Sequence, residues 1–323
     1  MVLKAKAIAH PMQALVKYHG LRDWSLRIPY HDSLSVNLQS LSTTTVVEFG
    51  DFPEDTVTVD GVPVTGRGLE RVLSVVDLVR GRASLEARVR VSSWNSMPSG
   101  TAKGLGFSSA AGAALAAASY KAAGVERQYG WDLRLISRIA RRLAGSACRS
   151  VVGEYARWYA GTGDEDSYAE RIAGQKDLDI RMVIVPLPAD LSTEDAHRET
   201  ELSPFFQARC KTAQLRCDEL ERAILDGDFT KFGNLVELDT LELHSVTMTG
   251  PRRLMLMTSQ SLRVIELVLQ LRQEGVEAYF SMQTGPSVFV NTLKEDAEYV
   301  AGQLADNGFR VVSSEIGGPV RIV

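Results

Sequence analysis

Gly100, Gly104 and Gly106 lie in the stretch Asn95-Ser-Met-Pro-Ser-Gly-Thr-Ala-Lys-Gly-Leu-Gly-Phe-Ser-Ser-Ala-Ala-Gly112, ahead of paired serines and a run of alanines. The chemistry open to such a stretch is phosphate binding. Glycines permit tight turns that aim several backbone N–H groups at one anion, and a following helix adds unpaired first-turn N–H groups and the positive end of its dipole. Ser108 and Ser109 stand where a hydroxyl reaches a phosphate oxygen or Mg²⁺, and Lys103 where an ammonium pairs with phosphate. Ala110, Ala111 and Gly112 are small enough to let a bulky ligand approach the helix. This is not the Walker loop, because no Gly-Lys-Ser/Thr follows the glycines. The plainer alternative is a Gly/Ser connection ahead of an Ala-rich packing helix.

A phosphate loop has to hang between a strand and a helix. Residues 85–91 alternate apolar with charged side chains as a half-exposed strand does, and 109–123 form the Ala-rich helix. Earlier strands are expected at 6–9, 33–38 and 43–49, with a helix carried by Leu69, Val72, Leu73, Val76 and Val79. A second helix, 133–144, opens on Asp132 as its N-cap, and both helices should back a mixed sheet. Gly, Asp, Glu and Ser cluster over 161–179, which reads as a boundary before a buried strand at 180–186. The second half then changes style, with helices at 204–225, 229–241 and 259–273. Strands at 276–282 and 287–290, a helix at 294–306 and a strand at 309–313 complete it. The reading is α+β, in two domains spanning 1–175 and 176–323.

With 323 residues, 45% hydrophobic and 24% charged, the chain has ample core, and its net charge of -4 offers no basic field for nucleic acid. A small-molecule partner fits better. No run reaches membrane-span length and the first residues lack a signal-peptide pattern, so a cytoplasmic protein is expected. Cys148, Cys210 and Cys217 form no CxxC pair and read as reduced thiols.

Three separated motifs, Lys17-Tyr-His-Gly20, the loop with its leading Asn95-Ser-Met-Pro98 and Gly104 to Ala110, and Gly145-Ser-Ala-Cys-Arg-Ser150, resemble the GHMP kinase superfamily and within it the mevalonate-pathway decarboxylases. His10-Pro-Met-Gln-Ala-Leu-Val-Lys17 and Pro29-Tyr-His-Asp-Ser33 look most like the monophosphate-using branch of archaea and some bacteria, and the likeness extends over essentially the whole chain. The resemblance implies a GHMP kinase fold, with a ribosomal-protein-like N-terminal domain, a ferredoxin-like α/β sandwich at the C-terminus and the active site between them. It implies ATP and Mg²⁺ as cofactors, phosphorylated mevalonate as the small-molecule partner, and a homodimer. The implied reaction places a phosphate on the tertiary C3 hydroxyl of mevalonate 5-phosphate, after which phosphate and CO₂ leave to give isopentenyl phosphate.

Carried over by motif, Arg149 resembles the arginine that fixes the C1 carboxylate and Lys17 the lysine near the reacting oxygen. Read alone, Arg149 is more simply a helix-end surface charge and Lys17 a strand-edge gatekeeper, and only the motifs favour the functional reading. Gln13, Tyr18, His19, Arg22, Ser146, His197 and Arg198 complete the expected substrate set, with His19 and Arg22 suited to the 5-phosphate because the diphosphate enzymes read differently after this lysine. Ser99, Lys103, Gly104, Leu105, Gly106, Ser108 and Ser109 are the expected ATP-binding set, with Ser109 also the expected metal contact. His244, which follows Asp239 on a helical stretch, matches a family histidine without an assigned role.

One residue departs from the pattern. Where the family has an aspartate as base or orienting group for the C3 hydroxyl, this chain has Gln283, inside Phe280-Ser-Met-Gln-Thr-Gly-Pro286. A neutral amide accepts no proton as a carboxylate does, so impaired catalysis is expected. Three explanations compete: a substitution engineered to trap substrate, which is favoured and under which Gln283→Asp restores CO₂ release; a natural enzyme that works without the carboxylate; or a kinase relative that stops at the 3-phosphate. The rival functions are a diphosphate-using decarboxylase, a mevalonate-type 3-kinase and a non-catalytic sensor of ATP and metabolite.

Overall fold

The computed structural model describes residues 2–98, 102–189 and 193–323. The chain opens with strands β1 (Leu3–Ala9), β2 (Met12–Val16), β3 (Ser33–Asn37) and β4 (Thr43–Gly50), then β5 (Thr56–Val59) and β6 (Val62–Pro63). Helix α1 (Gly66–Ala83) returns to β7 (Arg88–Asn95), whose end feeds the glycine-rich loop into α2 (Phe107–Ala122). Next come α3 (Glu126–Tyr129), α4 (Leu133–Arg141), α5 (Ala147–Val152), β8 (Tyr155–Tyr159) and β9 (Tyr168–Ala173). The remainder runs β10 (Ile180–Val185), α6 (Thr193–Glu201), α7 (Phe206–Leu225), α8 (Phe229–Met248), α9 (Ser259–Gln273), β11 (Ala278–Met282), β12 (Val288–Leu293), α10 (Ala297–Asp306), β13 (Val312–Ser314) and β14 (Arg321–Ile322).

These strands form three sheets. The first, in the order β14-β1-β4-β7-β5-β6, is mixed because β5 lies parallel to β7. β4 buries alternate residues, the period expected when one sheet face meets a helix layer. That layer centres on α2, whose alanines other than Ala111 are buried because β1 and β4 cover one side of the helix and α1, α4 and α5 pack against the rest. Small residues allow the close approach: a Cβ at Gly112 would stand 2.6 Å from that of Ala147 on α5. Asp132 caps α4 as its sequence suggests, accepting the Leu135 N–H at 3.1 Å.

The second sheet, β2-β3-β8-β9, and the third, β11-β12-β10-β13, are antiparallel. β10 is buried throughout and, apart from Arg181, apolar, because both its faces are covered. Ile180, Met182 and Ile184 pack with Leu15, Leu34 and Val36 of the second sheet and with α7 and α8, while Val183 and Val185 pack against α9 and α10. Segment 161–179 is more than a connection, since it contains β9, an edge strand paired with β8. Exposed Glu170 and Arg171 hide its strand character from a hydrophobicity pattern. β2 also escapes notice, because all five of its residues are buried and no alternation marks it.

Candidate active site

Six elements converge on two joined cavities. Strand β2 brings Met12 and Ala14 and, just beyond its C-terminal end, Lys17 with Tyr18 and His19. The start of α5 brings Ser146 and Arg149, α6 brings Thr193 and His197, α8 brings Leu243, and the turn after β11 brings Gln283 and Thr284. These line a small cavity of about 60 Å³. A larger groove of about 360 Å³ is walled by the glycine-rich loop, including Lys103, Gly104, Leu105, Gly106 and Ser108. Met12, Ser146, Thr193, Gln283 and Thr284 border both, so the two spaces meet there.

The loop is shaped by its glycines. Gly104 and Gly106 have φ of +89° and +81°, and a Cβ on Gly106 would stand 2.8 Å from the Met12 carbonyl oxygen. Gly106 is therefore the N-cap of α2 and the point where the loop touches β2. Ser108 is exposed in the groove, whereas Ser109 is fully buried: its hydroxyl donates to the Gly106 carbonyl at 2.5 Å and accepts from Ser150 at 3.0 Å. Ser109 thus braces the helix start away from the groove, and Leu105 faces the core with only its backbone available to a ligand. Ser99 lies outside the described residues. Among the described residues no group of three or more His, Cys, Asp or Glu side chains converges as a metal site.

The small cavity is cationic. Its lining contains no Asp or Glu, yet it holds Lys17 and Arg149. Arg149 is fully buried, with its Nη2 against the Met12 sulfur at 3.6 Å and its guanidinium 5.7 Å from the Tyr18 ring centroid. Its Nε and Nη1 have no hydrogen-bond partner, and no carboxylate among the described residues pairs with it. Burial pulls its pKa down, but a guanidinium stays charged. A buried cation with two vacant donors is costly unless an anion completes it.

Lys17 is held differently. Its Nζ donates to the Thr240 hydroxyl at 2.8 Å and to the Leu15 and Val236 carbonyls at 3.2 and 3.3 Å, which uses all three ammonium protons. Asp239 stands behind it at 3.5 Å and accepts the Lys17 backbone N–H at 3.0 Å, but this carboxylate is shared with Arg209 at 2.6 Å and Arg216 at 3.3 Å. Burial therefore outweighs the Asp239 attraction, and the Lys17 pKa falls to about 8. Lys17 is a fixed positive charge rather than a free donor. Asp239 is held below the usual carboxylate range because its three cationic neighbours overcome its own burial.

Three histidines stay neutral around this charge. His19 is pushed well below 6.5 by burial and by its neighbour His197, whose ring centroid is 4.7 Å away, and its nitrogens face the Thr200 and Thr284 hydroxyls at 3.3 and 3.1 Å. His197, lowered to about 4 by burial, stacks on Tyr18 and accepts the Gly20 N–H on Nδ1 at 3.1 Å, which leaves the proton on Nε2. His244, also lowered to about 4 by burial, lies close to Lys17 and against the Gln283 backbone. The Tyr18 hydroxyl accepts the Ser146 N–H at 3.1 Å, fixing the turn that carries Arg149.

Lys17, Tyr18, His19, Ser146, Arg149, His197 and Gln283 are thus brought together, and three residues of the expected substrate set are not. Arg22 is exposed and donates to the Gly161 carbonyl at 2.5 Å. Arg198 points outward over the Trp24 ring and to Glu194, because neighbours on a helix cannot share the face His197 occupies. Gln13 is fully buried with both amide atoms unpartnered, on the opposite face of β2 from Met12 and Ala14. Thr284, Thr193, Thr240, Arg209 and Arg216 belong to the site or its support and were not expected. Val236, Thr240 and Leu243 recur at helical spacing, which marks one face of α8 but not what it faces.

Comparison with known proteins fits this geometry. Residues 9–169 match the diphosphomevalonate decarboxylase-like N-terminal domain and residues 190–313 the mevalonate 5-diphosphate decarboxylase C-terminal domain. The phosphomevalonate decarboxylase of Haloferax volcanii is 41% identical over 323 residues, covering 99% of this chain and 98% of that protein. Mevalonate diphosphate decarboxylase from Staphylococcus aureus superposes with a TM-score of 0.92 at 30% identity, covering 100% of this chain and 98% of the other. A relative solved in complex with MVAPP, AMPPCP and magnesium gives a TM-score of 0.91 at 30% identity, covering 100% and 99%. With matches spanning both halves and the GHMP fold in common, the chain belongs to the family of mevalonate decarboxylases.

Proposed function

We propose that this chain is an ATP-dependent carboxy-lyase converting mevalonate 5-phosphate to isopentenyl phosphate, ADP, phosphate and CO₂, in a cytoplasmic isoprenoid route and as a homodimer. The observation that carries the reading is Arg149: a buried guanidinium with Nε and Nη1 vacant, in a cavity lined by no carboxylate and joined to a phosphate-binding groove. A guanidinium offers a carboxylate paired N–H groups, and Nη2, which shares an edge with each vacant nitrogen, spends only one of its two protons on the Met12 sulfur. The Haloferax relative's name favours the monophosphate substrate.

The substrate lies in the small cavity with its carboxylate on Arg149, its C3 hydroxyl at the Ser146, Gln283 and Thr284 junction, and the triphosphate in the loop groove. The hydroxyl oxygen attacks the γ-phosphorus and ADP leaves. The C3–O bond then breaks with phosphate departing, while the C1–C2 bonding pair becomes the new C2–C3 double bond and CO₂ is released. Lys17, charged at neutral pH, supplies a fixed positive field as negative charge gathers on the departing phosphate. The chain's residues fit magnesium only as a companion of the nucleotide: Ser108 is the hydroxyl the loop itself offers to the groove, and phosphate oxygens and water would complete such a site.

The test is one stoichiometric assay of ADP, phosphate and CO₂ with mono- and diphosphorylated mevalonate. Equal yields of all three from the monophosphate are expected, and Arg149→Met should abolish them. ADP without CO₂ would make the chain a 3-kinase, turnover of the diphosphate alone would reassign the substrate, and ligand binding without turnover would make it a sensor.

A further inference from the structure

Gln283 is placed as a donor. Its Nε2 lies 3.1 Å from the Met12 carbonyl oxygen on β2 and 3.0 Å from the Gly104 carbonyl oxygen on the phosphate loop. Both partners can only accept, so only an NH₂ group satisfies both. The turn it opens is wedged against the same loop: a Cβ on Gly104 would stand 3.1 Å from the Gly285 nitrogen, and one on Gly285 2.8 Å from the Lys103 carbonyl carbon. Thr284 continues the tie on the other side through His19 at 3.1 Å. The amide's Oε1 takes no hydrogen bond from the described residues, and Gln283 borders both cavities.

We propose that Gln283 is a native positioning residue, an amide latch that fixes the phosphate loop to the substrate strand, and that phosphoryl transfer here proceeds without a carboxylate base at this position. The inference rests on the decarboxylase reading above. As the C3 oxygen bonds to the γ-phosphorus and the bond to the ADP oxygen breaks, the hydroxyl proton passes to a γ-phosphoryl oxygen. Oε1 orients the hydroxyl without taking its proton. An ionised carboxylate would face two carbonyl oxygens with no proton to offer, losing both hydrogen bonds and adding repulsion.

The experiment compares the native chain with Gln283→Glu, the isosteric acid, and Gln283→Met, an apolar side chain of similar length. kcat and KM for ATP are measured from pH 5 to 8 with mevalonate 5-phosphate, and folding is checked by circular dichroism. The charged groups around position 283 are Lys17, Lys103 and Arg149, with His19, His197 and His244 as the neutral titratable ones; all are common to the three proteins, so differences between their profiles report on residue 283. At pH 8, Gln283→Glu should lose about tenfold or more in kcat with a raised KM for ATP. It should recover as pH falls, because a protonated carboxyl can donate one of the two bonds. Gln283→Met should lose as much with no acid recovery. A Gln283→Glu rate above that of the native chain and rising with pH would establish a general base and overturn the latch. So would a folded Gln283→Met with native kcat and KM. A native chain that consumes no ATP would instead overturn the decarboxylase reading, which separates the two failures.

Discussion

Lys17→Met should make the protein more stable while removing its activity. The lysine is fully buried, and its pKa falls from 10.5 to about 8 chiefly because burial disfavours its charge. At about 1.4 kcal/mol per tenfold change, holding that charge in the fold costs about 3 kcal/mol at neutral pH. Methionine removes the charge and keeps a similar unbranched length. Asp239 stays neutralised by Arg209 and Arg216, and the Val236 carbonyl keeps its bond from the Thr240 hydroxyl at 2.9 Å. The Leu15 carbonyl loses a partner, which takes back about 1 kcal/mol. A net gain of about 2 kcal/mol follows. Its pH dependence has a definite sign. The folded pKa is the lower one, so between 10.5 and about 8 the unfolded chain binds a proton that the native chain refuses. The penalty is complete below about 8 and vanishes above 10.5. Urea unfolding of both proteins, followed by tryptophan fluorescence from pH 7 to 10, should show the variant's advantage largest at pH 7 and shrinking as pH rises. A variant less stable than its parent at pH 7, or an advantage indifferent to pH, would refute the reasoning.

Two further substitutions test the packing that holds the site. Gly285→Ala places a Cβ 2.8 Å from the Lys103 backbone and should raise KM for ATP about tenfold, by pushing the loop off the Gln283 turn; an unchanged KM would show that the contact yields freely. Gly233→Ala on α8 drives a methyl to within 2.1 Å of the Tyr279 ring and should lower stability by about 1–3 kcal/mol in thermal or urea unfolding, with little effect expected if the ring simply rotates away.

The residues readable in advance are those whose backbone demands were local. Gly104 and Gly106 announced the tight turns ahead of α2 because glycine suits their φ of +89° and +81°, and Asp132 announced α4 because its side chain caps the nearest turn. Arg149 and Lys17 needed the family pattern, since nothing near them in sequence distinguishes a ligand cation from a surface charge. Side-chain direction was the least legible. Gln13 lost its place once Met12 and Ala14 claimed the cavity face of β2, a parity that a fully buried strand does not advertise. Ser109 and Ser108 differ by one helix position, and that turn sends one hydroxyl to Gly106 and Ser150 and the other to the groove. Pairings such as Lys17 with Thr240 or His19 with Thr284 join residues more than two hundred positions apart, which no local signal encodes.

The two cations of the cavity divide the proposed chemistry by how their protons are used. Arg149 keeps vacant donors and so makes directional contact, but the carboxylate it would bind becomes neutral CO₂; that attraction is therefore weaker at the transition state than in the bound substrate. Its service is orientation, and a tighter grip would slow the step. Lys17 has spent its protons on Thr240, Leu15 and Val236, so it offers no directional contact and its charge acts through space, where the departing phosphate gains negative charge. Charge conservation favours this division: the group that loses charge meets a contact readily released, and the group that gains it meets a field that cannot move. Placing Asp239 behind Lys17, shared with two arginines, completes the arrangement, because a carboxylate devoted to Lys17 alone would cancel the field that the cavity needs.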